Sequence, residues 1–184
     1  AAARKIIPVT LELGGKSPNI VFEDADIEAA VMGTVSGIFA ATGQTCIAGS
    51  RLLVQRSIQE KFTARLLDVA KEAKIGDPMS ADTNIGPVTT PPQFKKVMEY
   101  IDIAKQEGAN CILGGKPYTG PGSAGSQFVE PTIFTDVTND MRIAQEEVFG
   151  PVLSIIPFDT EEEAIAIGND VVFGLAAGVW TSNI

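Results

Sequence analysis

Three short segments contain the residue types that covalent chemistry requires. Gly43-Gln44-Thr45-Cys46-Ile47-Ala48-Gly49-Ser50-Arg51 sets a thiol among small neighbours, which leave access for a carbonyl carbon. The thiolate is the reactive form of cysteine, and a polar turn at a helix end favours it. Leu11-Glu12-Leu13-Gly14-Gly15-Lys16-Ser17-Pro18 places an acid in an otherwise apolar stretch beside a tight turn. If that stretch is buried, the pKa of Glu12 rises and it becomes a usable general base near neutrality. The third segment, Gln145-Glu146-Glu147-Val148-Phe149-Gly150-Pro151-Val152, pairs carboxylates with an aromatic ring. Taken by type alone, each group has a plainer reading. A free cysteine is most often buried and structural, Glu12 can sit at a strand end in solvent, and Glu147 and Phe149 can be a surface acid and a core aromatic.

Composition narrows the chemistry. The chain has no histidine and two cysteines, Cys46 and Cys111. Neither a Cys–His dyad nor a Ser–His–Asp triad can be built from it. A base for Cys46 must be a carboxylate, a lysine or a group from elsewhere. The usual zinc ligand sets are missing too, so no metal site is expected. Gly14-Gly15-Lys16 lacks the spacing of a phosphate-binding loop. Lys16 and Ser17 therefore read as turn or strand-edge residues, and Cys111 as core.

The elements that position these groups alternate between strand and helix. Ile6–Leu13 and Asn19–Phe22 read as strands. Asp24 or Asp26 caps a helix with Ile27, Val31, Val35 and Ile38 at helical spacing, which runs out near Gly43. Arg51–Gln55 reads as a strand. Ser57-Ile58-Gln59-Glu60 and Thr90-Pro91-Pro92-Gln93 both have the capping-box pattern, the second with proline at the first helical position. Cys111–Leu113, Thr132–Phe134, Leu153–Phe158 and Ala177–Thr181 are further strand candidates, with a helix capped at Thr160 before the last. Gly120–Gly125 reads as a flexible loop. This alternation predicts a layered α/β sheet.

The 184 residues carry a net charge of −9. That balance argues against a nucleic-acid surface or an anionic membrane as partner. No run of apolar residues approaches the ~20 of a membrane span, and the chain is read as cytoplasmic.

Together and in this order, the three segments resemble the aldehyde dehydrogenase superfamily. Ile75-Gly76-Asp77-Pro78, Val129-Glu130-Pro131-Thr132-Ile133 and Phe173-Gly174-Leu175-Ala176-Ala177-Gly178-Val179 extend the likeness along the whole chain. The resemblance implies a three-layer Rossmann-like catalytic domain, with a mostly parallel sheet flanked by helices. It implies that residues 1–184 are the thiol-bearing domain, shortened at both ends, with 1–13 as the strand linking it to a cofactor-binding domain. Cys46 would be the nucleophile and Glu12 the base that activates the hydrolytic water. Glu147 would meet the nicotinamide ribose and Phe149 the nicotinamide ring, with Leu13 and Gly14 also on the cofactor side. The cofactor would be NAD or NADP, the substrate a small aldehyde, and the full-length protein a homodimer or homotetramer.

The same resemblance leaves two other functions open. One is an acylating relative that passes the thioester to coenzyme A; the other is an inert oligomerisation module. The family often carries Asn where Ala41 stands. Its dinucleotide-binding segment and its oxyanion amide would lie upstream of Ala1, so the chain alone is expected to be inactive.

Overall fold

Leu52, Leu53 and Val54 are all fully buried, although successive strand residues point to opposite faces. Only a sheet covered on both sides accommodates that, and the chain builds one. The computed structural model describes residues 2–123 and 127–183. Its elements, in order, are α1 (Ala2–Lys5), β1 (Pro18–Val21), α2 (Ile27–Phe39), β2 (Arg51–Gln55), α3 (Gln59–Lys71) and α4 (Pro91–Gln106). They continue with β3 (Asn110–Leu113), β4 (Thr132–Thr135), α5 (Arg142–Gln145), β5 (Val152–Phe158), α6 (Glu161–Asn169) and β6 (Gly178–Trp180).

The strands form one sheet in the order β3-β4-β5-β2-β1-β6. Every neighbouring pair is parallel except β3 with β4 at one edge. Leu52, Val54, Leu153 and Ile155 face α2 and α3, packing with Val31, Ile38, Phe62 and Leu66. The other face packs Phe134, Val152 and Ile156 against Val97, Ile101 and Ile143 of α4 and α5. Leu53 and Phe158 meet Ala164 of α6 on that same side. The expected three-layer, mostly parallel architecture is what the chain adopts.

Local signals hold in most places. Asp26 caps α2 by accepting from the Ala29 N–H, and Thr90 and Thr160 cap α4 and α6 in the same way. Two expectations fail. Residues 6–13, expected to be a strand, form none. Ile6 is 94% exposed and Leu13 55%, and among the described residues no segment pairs with this stretch. A strand needs a hydrogen-bonding neighbour to exist, and apolar composition does not supply one. The capping box at Ser57 does not form either. The Ser57 hydroxyl donates to Glu23 instead, and α3 starts behind a 3-10 turn at Arg56–Ile58 without a side-chain cap. The loop expected at Gly120–Gly125 lies partly outside the described residues.

One buried cation ties the sheet's amino edge together. Arg51, the first residue of β2, is fully buried. Its Nε donates to the Lys16 carbonyl at 3.1 Å, Nη1 to the Ile167 carbonyl at 2.8 Å and Asn139 Oδ1 at 3.2 Å, and Nη2 to the Gly168 carbonyl at 2.8 Å. Asn139 continues the network to Asp170, and Gln145 donates to the carbonyls of Asn139 and Asp170. Replacing the guanidinium orphans three main-chain carbonyls at once. Arg51→Met is expected to lower unfolding stability by roughly 3 kcal/mol or more, since each buried unsatisfied group costs about 1–3 kcal/mol. Urea titration checks this; a midpoint within error of wild type would refute the account.

Candidate functional site

The three chemistry-bearing segments all enter the sheet from one side. Gly14-Gly15 precedes β1, Cys46 precedes β2, and Glu147-Phe149 precedes β5. Because these three strands are parallel, the segments meet at the sheet's amino edge. Most open α/β sheets bind ligands at the opposite, carboxyl edge. This protein has a depression there too, of about 600 Å³, lined by Phe22, Glu23, Asp24, Gln55 and Asp159 among others. It holds no nucleophile, and Asp24 is occupied there in accepting from Thr181, Ser182 and Asn183.

Convergence at the amino edge rests on close backbone contact. The Gly15 N–H donates to Glu147 Oε1 at 2.9 Å. A Cβ on Gly15 would collide with the Cys46 carbonyl. A Cβ on Gly14 would lie 2.7 Å from Glu147 Oε2 and 3.3 Å from the Phe173 ring. The two glycines are thus sandwiched between the thiol's backbone and the carboxylate. The seam between the Cys46 and Glu147 loops, lined by Gly15, Thr45, Ala48 and Phe149 among others, encloses only about 10 Å³. That is at most the space of a single water, so the seam is a packed floor.

The Cys46 loop is reached through a strained turn. After α2 ends at Phe39, Ala41 (φ 50°), Thr42 (φ 58°) and Gly43 (φ 68°) all take left-handed conformations. Each non-glycine residue there costs about 1–2 kcal/mol. Side-chain ties hold the turn: the Thr42 hydroxyl donates to the Gly86 carbonyl, and Gln44 Oε1 accepts from the Thr89 N–H and hydroxyl. Cys46 emerges half-buried in the following turn. Among the described residues no backbone acceptor meets its backbone N–H.

The residues singled out from sequence are brought together unevenly. Cys46, Gly14 and Glu147 lie in one contact network, and half-buried Phe149 sits two residues beyond Glu147. Glu12 and Leu13 lie on the approach to the glycine turn, but both are exposed. The burial expected to make Glu12 a base is therefore not provided by this chain: its neighbours 6–13 stand clear of the core. Lys16, read from sequence as a turn or strand-edge residue, stands just before β1 and is 3% exposed. Burial, with Arg51 next in importance, lowers its pKa to about 7, while Glu147 and Glu146 work against the shift.

Sequence reasoning also missed what holds Glu146 and Glu147. Arg142 makes a two-pronged bond to Glu146 through Nε at 2.7 Å and Nη2 at 3.0 Å. The Tyr100 hydroxyl donates to the same carboxylate. Arg142 lies over the Tyr100 ring at 5.3 Å and Lys96 approaches that ring at 5.7 Å. Hydrogen bonds from Arg142 and Tyr100 pull Glu146 down to about 2. The i, i+4 spacing of Arg142 and Glu146 is a readable signal for that pair; the Tyr100 contact, between residues far apart in sequence, is not.

Glu147 offers carboxylate oxygens to sugar hydroxyls, Phe149 offers an apolar ring, and the missing side chain at Gly14 leaves room beside the carboxylate. Among the described residues no cluster of acid, cysteine or histidine side chains could hold a metal ion, and no helix is long and apolar enough to cross a membrane.

A mostly parallel sheet flanked by helices, with a thiol loop, a Gly-Gly turn and a Glu-Val-Phe loop at its amino edge, defines a layered α/β domain. Residues 1–184 match the aldehyde dehydrogenase family throughout, and the chain belongs to that family. It is 49% identical over 183 residues to the betaine aldehyde dehydrogenase of Mesorhizobium japonicum, covering all of this chain and 38% of that protein. It is 51% identical over 184 residues to an aldehyde dehydrogenase of Emericella nidulans, covering 36% of it. The crystal structure of betaine aldehyde dehydrogenase from Staphylococcus aureus in complex with NAD+ superposes with a TM-score of 0.94 at 46% identity, over 99% of this chain and 36% of that one. The chain thus spans little more than a third of the relatives it matches.

Two outcomes test the site's construction. Ala41 bears left-handed strain that Asn tolerates better. Ala41→Asn is expected to stabilise the chain by about 0.5–1 kcal/mol, read as a higher melting temperature; a lower one would refute it. Lys16 has a folded pKa depressed from 10.5 to about 7. The unfolded chain therefore binds more protons between those values, so stability is lost as pH falls toward 7 and gained as it rises. Denaturation midpoints should climb from pH 7 to 9, and Lys16→Met should flatten the climb. An equal slope in both proteins would contradict it.

Proposed function

We propose that the protein carrying this chain oxidises a small aldehyde to a carboxylic acid, with NAD+ or NADP+ as acceptor. The observation that carries this reading is the packing of Gly14-Gly15 between the Cys46 carbonyl and the Glu147 carboxylate, which binds the nucleophile loop and the cofactor loop into one floor. The NAD+ complexes among the relatives support it.

In this mechanism Cys46 Sγ attacks the aldehyde carbon and forms a thiohemiacetal. Its oxygen is met by the free Cys46 N–H, a donor aimed at charge that develops during attack. Glu147 would hold the nicotinamide ribose and Phe149 would bear on the ring, with Leu13 and Gly14 bordering the cofactor, which when bound would supply the hydride acceptor. Loss of hydride from the thiohemiacetal carbon leaves a thioester on Cys46. Glu12 then takes a proton from water, the resulting hydroxide adds to the thioester carbonyl, and the acid departs as the thiol is restored. Exposed in this chain, Glu12 becomes an effective base once the parts of the protein outside the chain cover residues 6–13. The isolated chain is inactive, because the rest of the cofactor site is not in it. The whole protein works as a homodimer or homotetramer in the cytoplasm.

The test is aldehyde-dependent reduction of NAD+ and NADP+ by the whole protein, with and without coenzyme A. Cys46→Ser is expected to lower kcat by about 10³-fold or more, as removal of a covalent nucleophile does. Glu12→Gln should preserve a single-turnover burst of reduced cofactor and abolish steady turnover. A Cys46→Ser protein with near-normal turnover would sink the reading; turnover only with coenzyme A would replace hydrolysis by acyl transfer.

A further inference from the structure

Phe149 occupies a left-handed conformation, φ 58°, which a bulky side chain avoids. Something must hold it there, and the neighbouring contacts come largely from one face of α4. Gln93, Val97 and Tyr100 stand at i, i+4 and i+7, one stripe of that helix. Tyr100 donates to Glu146, and Val97 packs where a Cβ on Gly150 would otherwise sit. Gln93 Nε2 donates to the Val148 carbonyl at 2.8 Å and to the Phe149 carbonyl at 2.9 Å.

These bonds are not what the sequence position predicts. Gln93 sits three residues after Thr90, where a capping-box glutamine reaches back to the N-cap N–H. Thr90 does accept from the Gln93 N–H, but the Gln93 side chain turns outward. It spends both amide hydrogens on the loop that follows Glu147. Adjacent carbonyls that converge on one donor fix the peptide between them, and with it the direction of the Phe149 ring.

We propose that Gln93 is a positioning residue for the cofactor loop, clamping the 148 and 149 carbonyls so that Phe149 keeps its left-handed backbone and presents its ring to the nicotinamide. The inference rests on the dehydrogenase reading for its consequence, but the clamp itself is independent of it. Donation is the working property, so side chains that donate without accepting should preserve the clamp. Those that only accept should break it, because a carboxylate repels two carbonyl oxygens.

The experiment compares Gln93→Leu, Gln93→Glu and Gln93→Lys in the whole protein. The first readout needs no cofactor: deuterium exchange of the amides from 147 to 152, followed by mass spectrometry. Leu and Glu are expected to speed exchange there by about tenfold, the effect of losing one or two net hydrogen bonds, while Lys stays near wild type. The second readout is the Kd for NAD+, with the same order and about the same size of change. Melting temperature and the alkylation rate of Cys46 separate a local clamp from general destabilisation: both should stay near wild type.

Unchanged exchange in Gln93→Leu, or wild-type behaviour of Gln93→Glu, would overturn the clamp. Loss of Cys46 reactivity together with global melting would overturn it as well, by showing a merely structural role. If the wild-type protein reduced no cofactor with any aldehyde, the dehydrogenase reading would fall, and exchange would still decide the clamp.

Discussion

The site depends on a positive charge buried where water cannot reach it. Arg51 lies at the start of β2, five residues after Cys46, and its guanidinium is surrounded by main-chain carbonyls rather than by a carboxylate. Burying a charge is costly unless every donor finds an acceptor. The fold meets that demand by drawing three separate stretches onto one side chain. The Lys16 carbonyl comes from the turn after Gly14-Gly15 that leads into β1, Ile167 and Gly168 from the end of α6, and Asn139 from the loop leading into α5. Through Asn139 and Gln145 the same network reaches the residue before Glu146. The groups proposed for catalysis sit near one another because the sequence around them must satisfy Arg51.

That arrangement carries a second cost, in Lys16. Lys16 lies buried inside the protein, and its burial, with the nearby Arg51 cation next in importance, lowers its pKa to about 7. Glu147 and Glu146 partly offset the shift. The carboxylate proposed to hold the cofactor thus also contributes to the electrostatic balance of the domain. Backbone strain follows the same distribution. Ala41, Thr42 and Phe149 are left-handed without being glycine, and they flank the Cys46 loop on one side and the Glu147 loop on the other. Strain of this kind persists only where the surroundings over-determine it. Here Gln44, Gly86 and Gln93 supply the ties.

Much of this was legible before the structure. Periodicity located β1, β2, β5 and the helices capped by Asp26, Thr90 and Thr160, because those signals are local and their burial follows from repeating apolar positions. The failures share a cause. Residues 6–13 have strand composition but no neighbour to pair with, and Ser57 has a cap's chemistry but a better acceptor in Glu23. Glu12 was expected in apolar surroundings because Leu11 and Leu13 flank it, yet all three are exposed. In each case the deciding partner lies far away in sequence or outside the chain. The same holds for Tyr100 and Gln93, whose roles depend on residues 46 and 55–56 positions distant.

This division bears on how the chemistry is shared. What lies within the chain is the floor: the Cys46 loop and the Glu147 carboxylate packed against Gly14-Gly15, with α4 holding the loop that carries Phe149. The roof is elsewhere, since the seam encloses too little volume for a ligand and Glu12 stands in solvent. A floor whose groups are packed and strained cannot easily adjust to a substrate.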